Sequence, residues 1–231
     1  MKQTFLILFI LSSAVFSFGQ ETAKSFPETV AANIKLYNVY SNVAYDKGDL
    51  EKGQYLFDTL VSNQLAGTKF ENYTFRKIYG GKLTLSSVKK PLLIQTYTSW
   101  CVLGKGEIQA LNKISTKYIK TLQIVVLFWD KKKDAKNIAH QFNNNIEVCF
   151  ATESSNNDAQ IVATMKYAIG YLTAYYIDEN LNVVTIKKGS ATTLPLKTPL
   201  KDCIRHNYDF FEKNVLDLVL KYEPYKNKKP K

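Results

Sequence analysis

Two different periodicities alternate along this chain of 231 residues. Over residues 27–65 the apolar positions fall at helical spacing. In "NVAYDKGDLEKGQYLFDTLV" the side chains Leu56, Phe57, Leu60 and Val61 share a helical face, and Gly48-Asp49 supplies a break and a cap ahead of it. From residue 66 the spacing shortens. "FENYTFRKIYGGKLTLSSV" alternates apolar and polar positions around Gly80-Gly81, which predicts a β-hairpin. "PLLIQTY" and "LQIVVLFW" are short apolar runs of the kind that form buried strands, and "IEVCFATE" reads as extended. Between them, "GEIQALNKISTKYI" sets Ile108, Leu111, Ile114 and Tyr118 on one helical face, and "KKDAKNIAHQF" reads as a short helix. "NNDAQIVATMKYA" is expected to be helical, and "LTAYYIDENLNVVTIKKG" a second hairpin turning at Glu179-Asn180. A closing helix places Ile204, Tyr208, Phe211, Val215 and Leu218 near one face.

Strands joined by crossover helices run parallel, whereas the final hairpin must pair antiparallel. The expected fold class is therefore α/β, a mixed sheet flanked by helices, with an N-terminal helical extension. This pattern by itself assigns no function.

The first residues, "MKQTFLILFILSSAVFSFGQ", place Lys2 before an apolar core from Phe5 to Phe16 and small residues after it. That is the layout of a secretory signal peptide; an N-terminal anchor helix is the alternative. The expected organisation is a signal peptide over 1–20, a helical extension over 21–65, the main domain over 66–222 and a basic tail over 223–231. An exported, periplasmic protein with no transmembrane span after signal removal follows. The absence of cysteine around the cleavage region argues against a lipid-modified N-terminus. The net charge of +11 includes Lys226, Lys228, Lys229 and Lys231 of the tail. Export argues against nucleic acid as the partner of that charge, leaving a solvated, surface-adhering tail.

Three cysteines, Cys101, Cys149 and Cys203, are too few for a disulfide-stapled miniature, and their odd number leaves at least one thiol free or paired outside the chain. His140 and His206 have no ligand-spaced cysteines or carboxylates beside them, so no metal site and no cofactor is expected. His140 is expected at a helix end and His206 on an exposed helix face. Phosphate loops, serine elbows and zinc-protease motifs do not occur.

"NVAYDKGDLEKGQYLFDTLV" faintly resembles one tetratricopeptide hairpin, but no second copy follows, so a helical pair packed on the main domain is expected. The region 66–195 resembles the thioredoxin-fold redoxins, most closely the exported TlpA/ResA-type thiol–disulfide oxidoreductases. The resemblance rests on "FENYTFRKIYGGKLTLSSVKKPLLIQTYTSWC", on the following "GEIQALNKI", and on "IGYLTAYYIDENLNVV". It implies a thioredoxin-like fold, with protein or peptide thiols and extended segments as partners. Two positions depart from that family's pattern. Its Cys-x-x-Cys becomes Cys101-Val102-Leu103-Gly104, without a resolving thiol, and its cis-proline corresponds to Leu172 before Thr173. A non-proline cis bond costs about 2.5–4 kcal/mol, so this loop is expected to run trans or be rearranged.

The helix expected to begin near Gly104 would aim its free amides at Cys101, and Lys105 adds a cation; both favour a thiolate. Cys101 is thus a candidate nucleophile for mixed disulfides or sulfenic acid, and Lys105 a candidate stabiliser. The other reading makes Cys101 a packed, inert side chain. Cys149 and Cys203 read as packing residues, although the resemblance makes a Cys101–Cys149 disulfide conceivable. A non-covalent module is the alternative function, with Trp100, Gly104, Tyr171, Leu172 and Thr173 forming a groove for an extended partner. A one-cysteine peroxidase ranks third: Thr98-Ser99-Trp100-Cys101 supplies Thr-x-x-Cys, but Ile94 stands where that family has proline.

Overall fold

The computed structural model describes residues 23–101, 104–188 and 194–226. The signal-peptide region, Val102-Leu103 and most of the basic tail lie outside the described residues. Two helices come first, α1 (Phe26–Asp46) and α2 (Leu50–Leu60), the latter continuing as a π-helical turn, Val61–Leu65. Gly48 takes a φ of 71° in the turn between them, and the Asp49 carboxylate accepts the Lys52 N–H at 2.8 Å, the cap expected there. Gly53 is where α2 admits α1. A Cβ there would lie 2.2 Å from the Tyr45 ring.

Strands β1 (Thr74–Lys77) and β2 (Lys82–Thr84) form the first hairpin around Gly80-Gly81. Then follow β3 (Leu92–Tyr97), α3 (Glu107–Lys117), β4 (Gln123–Phe128), α4 (Lys132–Ala139) and β5 (Ile146–Phe150). The next segment winds in three ways: a 3-10 turn Asn156–Asp158, a helical turn α5 (Ala159–Ile161) and π-helical turns Val162–Ile169. A second hairpin, β6 (Thr173–Ile177) and β7 (Val183–Lys188), and the long α6 (Leu200–Lys226) complete the fold.

The seven strands form one sheet in the order β2-β1-β5-β4-β3-β6-β7. Strands β3, β4 and β5 are parallel, as their crossover helices require, and the two hairpins add antiparallel strands at either side. A βαβ unit joined to a ββα unit through the antiparallel β3–β6 pair is the thioredoxin-like arrangement expected from the sequence. Every residue of β3 is buried, because helices cover both faces. One face packs Phe26, Phe57, Leu65 and Phe70 of the N-terminal region against Ile94, Val125 and Tyr175. The other packs Leu111 and Ile114 of α3 and Phe211 and Val215 of α6 against Leu93, Val126 and Tyr176. Among the described residues no helix is long and apolar enough to cross a membrane.

The helical pair is fastened to the sheet by the end of β7. Lys187 pairs with Asp58 of α2 at 2.9 Å. Lys188 Nζ lies 4.8 Å from the Tyr37 ring centroid and 4.5 Å from that of Phe57, and donates to Tyr37 Oη at 3.2 Å. Rings stabilise the cation, but burial without a carboxylate beside it pushes the amine down to about 8. The unfolded chain, with an ordinary lysine value of about 10.4, then binds more protons than the native one between those two values. Native stability is therefore expected to rise as pH goes from 8 towards 10. Lys188→Met should flatten that rise and stabilise the protein by about 1–3 kcal/mol at pH 7, by urea unfolding at several pH values. The pH series is read below 10, because the buried Tyr37 hydroxyl, also shifted upward, acts in the opposite sense above it.

Candidate thiol site at the end of the central strand

The carboxyl end of β3 runs into Thr98-Ser99-Trp100-Cys101, where the Cys101 N–H closes a turn on the Thr98 carbonyl at 3.1 Å. The turn is pinned from the neighbouring strand. Asp130, just beyond β4, receives the Ser99 N–H at 2.6 Å and the Ser99 hydroxyl at 2.8 Å, one on each carboxylate oxygen. Cys101 is free and half-buried. Beside it Trp100 is 69% exposed, unusual for so large an apolar group, and meets Tyr171 edge-on at 5.8 Å between centroids. The buried Lys166 places its ammonium 5.3 Å from the centre of the Tyr171 ring and pairs with Glu153.

The loop that faces Cys101 in the expected groove is held by a buried threonine of β3. Thr96 Oγ1, with one proton to donate, lies 2.9 Å from the Tyr171 carbonyl oxygen and 3.2 Å from that of Thr173, and accepts the Thr173 N–H at 3.0 Å. All described peptide bonds are trans, including the one between Leu172 and Thr173. Thus Trp100, Tyr171 and Thr173 gather around the end of β3, with Leu172 half-buried between the last two.

Two details differ from expectation. Helix α3 starts at Glu107 rather than near Gly104, because Gly106 takes a φ of 84°, a left-handed conformation no helix can include. The cause is the close approach of α6: a Cβ on Gly106 would sit 2.8 Å from the Ile204 backbone nitrogen. Lys105 extends its ammonium to the Thr198 carbonyl at 2.8 Å, an oxygen that also accepts the Cys203 thiol at 3.7 Å. Asn207 of α6 donates to the Lys105 carbonyl at 3.1 Å. The first turns of α6 therefore clamp residues 105 and 106.

Glu107 is the residue that sequence reasoning missed. Its side chain is fully buried under the thiol loop. Tyr97 Oη–H donates to one oxygen at 2.6 Å and the Gly104 N–H to the other at 3.0 Å. Burial raises its pKa, while those two bonds oppose the shift. One amide that was expected to face Cys101 is thus already taken by an internal carboxylate. Thr98 Oγ1 and Trp129 Nε1, at the same end of the sheet, are buried without a hydrogen-bond partner among the described residues.

The other cysteines are set apart. Cys149 stands in β5 opposite Leu127 of β4 and Lys77 of β1, and burial pushes its thiol up to about 12. Strand β4 lies between β5 and β3, the strand that leads to Cys101. The conceivable Cys101–Cys149 bridge does not form, and all three cysteines are free. Cys203 is buried in the first turn of α6. His140 ends α4, His206 lies on the exposed face of α6, and no potential metal-binding cluster occurs among the described residues.

No family model and no curated protein matches the chain. Solved structures similar to it include a candidate thiol:disulfide interchange protein DsbE from Chlorobium tepidum, 20% identical, covering 67% of this chain and 97% of that one at a TM-score of 0.49. The thioredoxin domain of a thiol-disulfide oxidoreductase from Bacteroides vulgatus is 18% identical, covering 64% and 96% at 0.47. A thiol:disulfide interchange protein from a Bacteroides species is 15% identical, covering 64% and 85% at 0.46. At such identities none of these likenesses says what the chain does.

Proposed function

We propose that this is an exported thioredoxin-fold protein that exchanges disulfides with extended protein partners through Cys101 alone. The observation that carries the reading is a half-exposed thiol at the end of the central strand, rimmed by the exposed Trp100 and Tyr171, while Cys149 and Cys203 are buried. The leader-like residues 1–20 support export. In the reaction the Cys101 thiolate attacks a partner disulfide, forming a mixed disulfide and releasing one partner sulfur as thiolate. A second thiol, from the partner or from a separate small thiol, then attacks that mixed disulfide and returns Cys101. The electron pair passes from the incoming thiol to the outgoing sulfur, so each step balances without a cofactor. Trp100 and Tyr171 offer flat apolar surface to the partner's backbone, as peptide-binding grooves do.

Alkylation of the folded protein is expected to label one thiol per chain, because Cys149 and Cys203 are buried and Cys101 is not. Cys101→Ser should lose that label altogether. Trapping under non-reducing conditions should recover protein adducts that dithiothreitol releases. A Cys101 that stays unlabelled in the folded protein, with no adducts, would overturn the covalent reading and leave the groove as a non-covalent partner site. Peroxide consumption by the wild-type chain would instead select the one-cysteine peroxidase.

A further inference from the structure

Helix α1 has two apolar faces and the domain uses only one. Phe26, Val30, Tyr37 and Ala44 are buried against α2 and the sheet. On the other side Leu36 is 63% exposed, Val39 61%, Tyr40 57% and Val43 51%. With the exposed Ala32 they form a row at 32, 36, 39 and 43, spaced four, three and four residues apart, flanked by Tyr40. Such a 3.5-residue seam is what packs one helix along another, and none of the described residues covers it. In tetratricopeptide-like arrays the outer face of each hairpin is covered by the next repeat, and here no second repeat exists.

We propose that the seam pairs α1 with α1 of a second copy, antiparallel, in a twofold dimer. Three features of the row single out that occupant. A twofold contact must be self-complementary, and the row maps onto itself when reversed about the point between residues 37 and 38. The reversal sets Leu36 opposite Val39 of the second copy and Ala32 opposite Val43. Next, Lys35 is the one charged residue within 32–43 and falls opposite Tyr40 of the second copy, so like charges do not meet along the contact. Finally, the hairpin is the part of this basic protein where self-approach meets least repulsion. Over residues 26–60 there are Glu28, Asp46, Asp49, Glu51 and Asp58 against Lys35, Lys47 and Lys52, whereas the whole chain is at +11. Antiparallel helices also oppose their dipoles favourably. The seam runs about 17 Å at 1.5 Å per residue, a contact at the small end of specific interfaces, so affinity in the micromolar range is expected.

Sedimentation of the purified chain from micromolar to submillimolar concentration should show a monomer–dimer equilibrium. Leu36→Lys combined with Val43→Lys should weaken it by at least about thirty-fold, as loss of central interface anchors does. Both positions are exposed in the monomer, so an unchanged circular dichroism spectrum and melting temperature would show that only association was affected. In a Cys101→Ser background, chains with Ala32→Cys mixed with chains carrying Val43→Cys should crosslink to each other under mild oxidation, and Ala32→Cys chains should not crosslink among themselves. A monomer at every concentration, a dimer indifferent to the double lysine variant, or self-crosslinking of Ala32→Cys would each overturn the proposal. So would a monomer that instead sediments with anionic phospholipid vesicles through these same residues.

Discussion

Gly106→Ala is expected to be among the most damaging single substitutions in the domain, although it adds one methyl group. Its φ of 84° costs a non-glycine residue about 1–2 kcal/mol. The new Cβ would also meet Ile204 N at 2.8 Å, Ile204 Cγ1 at 2.9 Å and Ile204 Cα at 3.1 Å. Two of those atoms belong to the α6 backbone, which cannot swing aside as a side-chain tip can. Relieving the clash moves the start of α6 away from α3, and overpacking of this kind costs about 1–3 kcal/mol. Together they predict a loss of roughly 4 kcal/mol, or about 10 °C in melting temperature for a chain of this size. Gly48→Ala separates the two causes. Gly48 has a φ of 71° but nothing within 4 Å of its missing Cβ, so only the backbone strain applies. Equal shifts for the two variants in a calorimeter would mean that the contact with α6 is not tight.

Glu107→Ala is expected to cost about 2–4 kcal/mol, because it strands the Tyr97 hydroxyl and the Gly104 amide in a buried place and leaves a void. Glu107→Gln should be far milder, since an amide of the same shape satisfies the Gly104 amide and reaches the Tyr97 oxygen without a buried charge. The pH dependence distinguishes the two. The folded pKa of Glu107 lies above its unfolded value, so the native state holds the proton more tightly. Its contribution is fully favourable below the ordinary carboxylate value of about 4.3 and is lost as pH rises through the raised one. The wild-type protein should thus lose stability with rising pH in that window, and Glu107→Gln should not. Urea unfolding at a series of pH values reads both. An identical pH profile in the two proteins would mean that Glu107 is solvated rather than enclosed.

The sheet was legible because its signals are local. "PLLIQTY" and "LQIVVLFW" are apolar on both faces, as strands covered twice must be, and Gly80-Gly81 marks its own turn. The helical pair was legible for the same reason, down to the cap at Asp49. The thiol site was less so. Lys105 sits close to Cys101 in sequence, but its long arm binds a carbonyl 93 residues further along. Ser99 is held by Asp130, and Tyr171 is approached by Lys166, pairings that only the folded sheet creates. Glu107 did carry a signal. It stands four residues before Leu111 and seven before Ile114, on the buried stripe of α3, and a carboxylate in that register asks for partners. The segment after β5 was expected to be a plain helix, yet its turns widen to π-helical over Val162–Ile169, a change that no periodicity announces.

The first hairpin also has a consequence for the rim of the sheet. By pairing with β5, β1 covers a strand that would otherwise present open backbone, and leaves the three-residue β2, with its exposed Lys82, as the outer border. The opposite border, β7, ends in Lys187 and Lys188 and faces a ladder irregularity at Tyr176/Ile177. Short length, lysines and a broken ladder are the usual safeguards against strand-by-strand accretion. Neither flank invites another chain to add itself to the sheet.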